Sequence, residues 1–376
     1  MTGGNPQGLA RAERQVGLNS WAVAFCQTHF GYTTDEVLWE NRHNYVTREI
    51  RRWKLLWRAI RNFDVIHFNF GSSILPSQIP LNSYKENLQN YLMRKIFNTY
   101  AGLFELRDLP VLKREGKGIA VTYQGDDARQ GDFCRKNFLI TLAHEVGAEY
   151  YSPGRDSHKR WQIETFAKFA DRIYALNPDL LHVLPSWAEF LPYAHVDLTD
   201  WQPQWGLCSQ THPPLVIHAP SHQGAKGTKY VLEAVSRLQD EKVSFEFKLI
   251  EGLSNVHARK IYEQADLLID QLLVGWYGGL SVELMALAKP VICYIRESDL
   301  KFIPEKMKTE IPIIHATPET LYQVLKEYLT TRRKELSQIG RQGRSYVENW
   351  HDPLKIAARV KKDYEEIFSR KLRRGH

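Results

Sequence analysis

Short apolar, β-branched runs alternate with longer stretches of helical periodicity along most of this 376-residue chain, and that alternation restricts the fold more than any other feature. The short runs lie at 21–26, 64–70, 118–123 and 172–175, then at 215–218, 244–250, 265–270, 290–295 and 311–315. Helical patterns fill the gaps, among them 47–62, 156–170, 229–239, 254–264 and 281–288. A strand that returns parallel to its predecessor needs a crossover long enough for a helix, so this spacing predicts parallel sheets with helices on both faces. Two such series predict an α/β chain of two doubly wound, Rossmann-like domains facing across a cleft. The first spans 1–196 and the second 215–350; a linker without apolar periodicity lies at 197–214, and 351–376 predicts a closing helix that crosses back to the first domain. At 43% hydrophobic residues a chain of this length can bury a core in each. One oddity is at the start, where Gly3-Gly4-Asn5 and the helical 9–15 look like the loop and helix that follow a first strand. That strand is missing, so either the chain start lacks it or another segment fills the edge position.

Several chemistries are struck off by pattern. Cys26, Cys134, Cys208 and Cys293 lie far apart, which predicts neither a disulfide framework nor a zinc site. His144-Glu145 lacks the second His of a zinc-protease helix, its place being taken by Ala148. There is no serine elbow, Walker-type phosphate loop, dinucleotide fingerprint or Asp-x-Asp pair, so no metal is expected. No run approaches the ~18 apolar residues that span a bilayer, and the polar start lacks a leader pattern. The expectation is a cytoplasmic protein, peripheral at the inner membrane face if it touches a membrane. A net charge of +7 favours anionic partners without choosing among them. A nucleic-acid partner is not expected, because the basic excess forms no groove motif interleaved with aromatics.

The densest signal runs from Asp270 to Ile292. A strand ends near Asp270, a loop carrying Gly275, Gly278 and Gly279 follows, and a helix begins near Leu280 with Ser281 in its first turn. Free N–H groups at a helix start, with glycines that allow close approach, suit a diphosphate. Glu283, one turn further, is placed to take two ribose hydroxyls; the plain alternative is a strand–loop–helix connection capped by Ser281. The stretch resembles the donor-site segment of retaining glycosyltransferases of family 4, which have the GT-B architecture. Glu283-Leu284-Met285-Ala286-Leu287-Ala288-Lys289-Pro290-Val291 matches the second half of the family motif. The motif's first Glu falls on Gly275, and restoring a Glu there is expected to alter sugar preference.

Other segments carry the same resemblance. In 215–232, Lys226-Gly227 matches the family's Lys-Gly, which implies that Lys226 neutralises the leaving diphosphate. The family's Arg a few residues earlier is replaced by Ser221, His222 and Gln223, and a protonated His222 would substitute in part. The opposing reading of Lys226 is a solvated lysine at a helix start, a poor place for a cation. In the first half, 64–68 and Gln124-Gly125-Asp126-Asp127-Ala128-Arg129 resemble the acceptor-side strands and loop. Asp126 or Asp127 would orient the acceptor hydroxyl or take its proton; a loop turn with a local Asp–Arg ion pair fits those residues equally. Between Arg48 and Arg61, Ile50, Trp53, Trp57 and Ile60 recur at helical spacing among six Lys/Arg and one Glu. This stripe reads either as packing on a sheet or as contact with an anionic membrane.

The resemblance implies transfer of a hexosyl group from a nucleoside diphosphate sugar, as co-substrate and without other cofactor or metal, to a hydroxyl acceptor. That acceptor would be a glycan, a lipid-linked sugar or an envelope polysaccharide precursor. The donor side comprises His222, Lys226, Gly278, Gly279, Leu280, Ser281 and Glu283; the acceptor side comprises Gly3, Gly4, Asn5, Gln124, Gly125 and Arg129, with Asp126, Asp127 and Lys226 catalytic. A nucleotide-sugar epimerase or phosphorylase, or a binding protein without turnover, would use the same architecture.

Overall fold

The computed structural model describes residues 4–28, 30–40, 42–79, 88–203 and 212–374. Helix α1 (Asn5–Gln15) starts the described chain, with a proline at its first turn where the missing N–H is no loss. Strands β1 (Val23–Ala24) and β2 (Glu36–Val37) follow and pair only with each other, so the apolar run at 21–26 contributes two strand residues and stays outside the main sheet. Helix α2 (Tyr45–Asn62), capped by the Asn44 side chain, leads into β3 (Val65–Asn69). Helices α3 (Leu88–Phe104) and α4 (Asp108–Arg114) precede β4 (Gly118–Tyr123); α5 (Gly131–Asn137) and α6 (Pro153–Phe169) precede β5 (Arg172–Ala175) and β6 (Glu189–Phe190). The sheet is parallel throughout, in the order β3-β4-β5-β6. All six residues of β4 are buried, the pattern of a strand covered on both faces.

No strand precedes α1 among the described residues, and no other segment fills the edge. Strand β3 pairs with β4 alone, and beside it lies a cavity of about 340 Å³ walled by α1, 20–28 and α2.

The second sheet is built from β7 (Leu215–His218), β8 (Glu246–Leu249), β9 (Leu267–Ile269), β10 (Val291–Cys293) and β11 (Ile314–His315). Its helices are α7 (Gln223–Lys226), α8 (Thr228–Asp240), α9 (Asn255–Gln264), α10 (Gly279–Ala286), α11 (Glu305–Thr309), α12 (Leu321–Leu329) and α13 (Leu336–Trp350). The strand order is β11-β10-β9-β7-β8, all parallel. The chain winds outward in both directions from the β7/β9 junction. Loops leave the carboxyl ends of those two strands in opposite directions there, which opens the crevice where such sheets bind ligands.

Helix α14 (Pro353–Arg374) returns to the first sheet. Ile356, Ala357 and Val360 pack with Leu9 and Ala12 of α1 and with Ala120 and Tyr174. Asp363 accepts from Arg172 at 3.1 Å and from the Tyr174 hydroxyl at 2.6 Å. His351, fully buried between α13 and α14, bonds the Tyr277 hydroxyl at 2.9 Å and the Tyr193 carbonyl at 3.1 Å, joining the two halves below the cleft.

Candidate functional site

A cleft of about 610 Å³ lies between the sheets, lined from one side by Gln124, Asp126 and Asp127 and from the other by Lys226, Gly279 and Glu283. The β7 loop supplies Lys226. His222 caps α7, its Nδ1 accepting from the Ala225 N–H at 3.1 Å, and Gly227 ends the helix with φ +77°, a left-handed turn that favours glycine. Lys226 is the last residue of the short α7 and directly precedes Gly227, which caps the start of α8, so helix dipoles alone do not favour its charge. Its Nζ bonds Gln271 Oε1 and lies 3.5 Å from Asp270 Oδ1. The cap also limits His222. Its Nδ1 is committed to the cap and leaves only Nε2 for a ligand.

The β9 loop supplies the second wall. Buried Asp270 receives the Gly278 N–H at 2.8 Å and the Ser281 hydroxyl at 2.6 Å. Ser281 is thus fully buried and engaged; it holds the loop and does not line the cleft. The N–H groups of Gly279 and Leu280 fall in the first turn of α10, which leaves them without intrahelical acceptors, and both residues line the cleft. Glu283 is 3% exposed, and its Oε1 accepts from the Tyr32 hydroxyl at 3.2 Å and from Asn255 Nδ2 at 3.3 Å. His195 Nε2 lies 3.5 Å from the same oxygen. Burial and the Glu283 charge push the Tyr32 phenol up, so it stays protonated and donates. Tyr32, His195 and Asn255 were not singled out from sequence.

On the first sheet's carboxyl edge, Asp127 closes a loop in which its Oδ1 accepts the N–H groups of Gln124 at 3.0 Å and Gly125 at 2.6 Å. Burial, only partly offset by those N–H groups, pushes its carboxyl up to about 6. Burial would also raise Asp126, but the Arg129 charge and bonds from the Tyr150 and Tyr151 hydroxyls outweigh it and hold this carboxyl below its ordinary value. Arg129 is buried, bidentate on Asp179 at 2.7 and 3.2 Å and on Asp126 at 2.9 Å. The local ion pair is therefore real for Arg129: three of its five N–H donors are engaged by the two carboxylates, and the residue still borders the cleft. Gln124 spans the edge, donating to Asn69 Oδ1 at 2.9 Å while its carbonyl accepts from Asn177 at 2.6 Å.

Asn5 reaches the cleft from the first turn of α1, its Oδ1 accepting the Ala194 N–H at 2.7 Å. Gly4 packs under the Tyr32 ring, which a Cβ would meet at 2.6 Å. Gly3 lies outside the described residues. Position 275 has no room for a carboxylate. Gly275 has φ +90°, and a Cβ there would stand 2.6 Å from Arg296 Nη1. The Arg296 guanidinium is itself fixed on Asp299 at 2.8 Å and on the Ile140 carbonyl of the first half at 2.9 Å. Among the described residues no cluster of His, Cys, Asp and Glu has the geometry to hold a metal ion.

These two sheets, their switch-point cleft and the returning helix define the GT-B fold, and comparison with solved structures bears on the same point. The chain is similar to the Anabaena protein HepE in complex with UDP-glucose, at 11% identity and TM-score 0.57 over 97% of each chain. The same protein with UDP and glucose gives TM-score 0.59 at 11% identity over 97% of this chain and 96% of that one. The sucrose-phosphate synthase of Thermosynechococcus elongatus gives TM-score 0.51 at 14% identity over 93% of this chain and 99% of that one. At such identities the likeness establishes the fold alone. No protein-family model and no curated protein matches the sequence.

Proposed function

We propose that this chain is a retaining, metal-independent glycosyltransferase that moves a hexosyl group from a nucleoside diphosphate sugar to a hydroxyl acceptor. The observation that carries the reading is convergence. Lys226, the first turn of α10 and Glu283 meet at the switch point of one sheet, directly across the cleft from Asp126 and Asp127 on the carboxyl edge of the other. The first set is a cation, free N–H dipoles and a buried carboxylate, in the order that a diphosphate followed by a ribose requires. That HepE was solved with UDP-glucose and with UDP and glucose supports the same class of ligand.

In this reading the bond from the sugar's anomeric carbon to the diphosphate breaks while a bond to the acceptor oxygen forms on the same face. The electron pair leaves with the diphosphate, whose added charge is met by Lys226 and the α10 N–H groups. The acceptor's proton passes to a departing phosphate oxygen, so no enzymic nucleophile is required. Asp127 orients the acceptor hydroxyl. Asp126, held ionised by Arg129 and two tyrosines, keeps the loop in place. Contacts between the halves, such as Leu142 N–H to the Leu273 carbonyl at 3.1 Å, narrow the cleft and limit access of water to the donor.

The test is a thermal-shift panel of UDP, GDP, ADP and their sugars, followed by product analysis with the ligand that binds. At a hundredfold excess over its Kd a cognate ligand stabilises by about 2.7 kcal/mol, a shift easily read. If no nucleotide raises the melting temperature, the donor site is wrong; binding without transfer or hydrolysis would favour a binding protein.

A further inference from the structure

The face formed by α2 and α3 is the one large apolar surface of the described chain that the cleft chemistry does not use. Val46 is 69% exposed, Ile96 65% and Trp57 59%, with Ile50, Trp53 and Met93 also exposed between them. They wall an open groove of about 670 Å³. Rigid contacts join the two helices: the Trp53 ring meets Phe104 edge-on at 5.6 Å, and Tyr45 meets Phe97 at 5.8 Å. An exposed apolar patch of this extent marks a surface that something covers.

Charge identifies what covers it. The segments 45–62 and 88–104 hold eight Lys/Arg and one acidic residue, an excess equal to that of the whole chain. The single acid, Glu49, borders the groove but is neutralised there, accepting from Arg52 at 3.1 Å and from the Tyr100 hydroxyl at 3.0 Å. Lys54, Arg61 and Lys95 are exposed around the apolar side chains, and the Arg61 guanidinium lies 4.5 Å over the Trp57 ring. Two copies of so basic a face would repel each other, and a nucleic acid would leave Val46 and Ile96 uncovered. Tryptophans and tyrosines among aliphatic side chains, ringed by cations, match the boundary of a bilayer with anionic headgroups. No described helix is long and apolar enough to cross a membrane, so such contact is peripheral. We infer that the α2–α3 face docks the protein on an anionic lipid surface, with Trp57 and Ile96 entering the headgroup–acyl boundary and Lys54, Arg61 and Lys95 meeting the headgroups.

The experiment is co-sedimentation of the full chain with phosphatidylcholine vesicles, with and without phosphatidylglycerol, over a range of salt. The wild type is expected to partition onto the phosphatidylglycerol vesicles and to be partly released by salt. Trp57→Ser combined with Ile96→Ser should lower that partition about tenfold or more. Lys54→Gln with Arg61→Gln and Lys95→Gln should lower it about tenfold or more while removing most of its salt dependence. These side chains are on the surface, so unchanged circular dichroism and melting temperature verify that the variants fold. Wild type remaining in the supernatant at low salt, or both variants binding as well as wild type, overturns the inference. A wild-type dimer in light scattering that Trp57→Ser with Ile96→Ser converts to monomer also overturns it, because the face then joins two copies.

Discussion

Gly275 should be intolerant of any side chain, and the structure sets the size of the effect. A Cβ at this position meets Arg296 Nη1 at 2.6 Å and Arg296 Cβ at 2.9 Å, and φ is +90°. Holding a non-glycine residue in that region costs about 1–3 kcal/mol. Relieving the contact moves a buried guanidinium fixed on Asp299 at 2.8 Å, on the Ile140 carbonyl at 2.9 Å and 3.8 Å over the Phe138 ring. Losing one such charge-assisted bond costs about 1.5–3 kcal/mol. Reduced freedom of the unfolded chain returns about 0.4–1 kcal/mol. Gly275→Ala is therefore expected to destabilise the protein by about 1.5–5.5 kcal/mol, read as a lower urea midpoint at unchanged slope. The contribution of the clash is isolated by a cycle with Arg296→Ala, on which background Gly275→Ala should cost only its backbone share. Gly275→Glu should be at least as destabilising as Gly275→Ala, so it cannot serve as a clean change of sugar preference. A Gly275→Ala protein within about 0.5 kcal/mol of wild type, the range of ordinary surface changes, would refute this reasoning.

Three further outcomes are expected. Glu283→Gln should weaken binding of the cognate nucleoside diphosphate about tenfold or more in calorimetry, because charge-assisted bonds to two ribose hydroxyls are worth more than the long Tyr32 and Asn255 contacts they replace; equal affinity would make Glu283 a structural residue. Asp127, raised to about 6, is protonated below that pH and ionised above it, so turnover that needs its carboxylate should climb with pH through about 6. Asp127→Asn should abolish that inflection in the pH–rate profile, and a profile unchanged by the substitution removes Asp127 from acceptor orientation. Transfer should persist in EDTA, since Lys226 and the α10 N–H groups meet the diphosphate charge; loss on chelation with recovery on Mg²⁺ or Mn²⁺ would contradict the proposed mechanism.

How much of this was legible depends on how far apart in sequence the interacting groups lie. Strand β9, its glycine loop and α10 form one continuous segment, so the line from Asp270 to Glu283 could be read directly, and Lys226-Gly227 could be placed at the end of the neighbouring strand's loop. What could not be read is which atoms of that segment are already committed. Ser281 and the Gly278 N–H are bound by Asp270, His222 spends its Nδ1 on a cap, and Arg129 is enclosed by Asp126 and Asp179. The partners of Glu283 come from three distant places: Tyr32 and His195 lie outside any patterned segment, Asn255 opens the helical stretch 254–264, and only the folded chain brings them together.

The reading of α2 shows the same limit in another form. Its periodicity was plain, but the helix carries two apolar stripes and periodicity does not say which one faces inward. Leu56 and Ala59, with Arg52 beside them bonded to the Ile74 carbonyl, are the stripe the sheet takes. Ile50, Trp53 and Trp57 form the other and remain outside, against α3. Leu56 and Ala59 join the core of the first sheet, and Ala59 also borders the cavity beside β3. The bulkier stripe, left over and surrounded by arginine and lysine, stays available to a membrane surface.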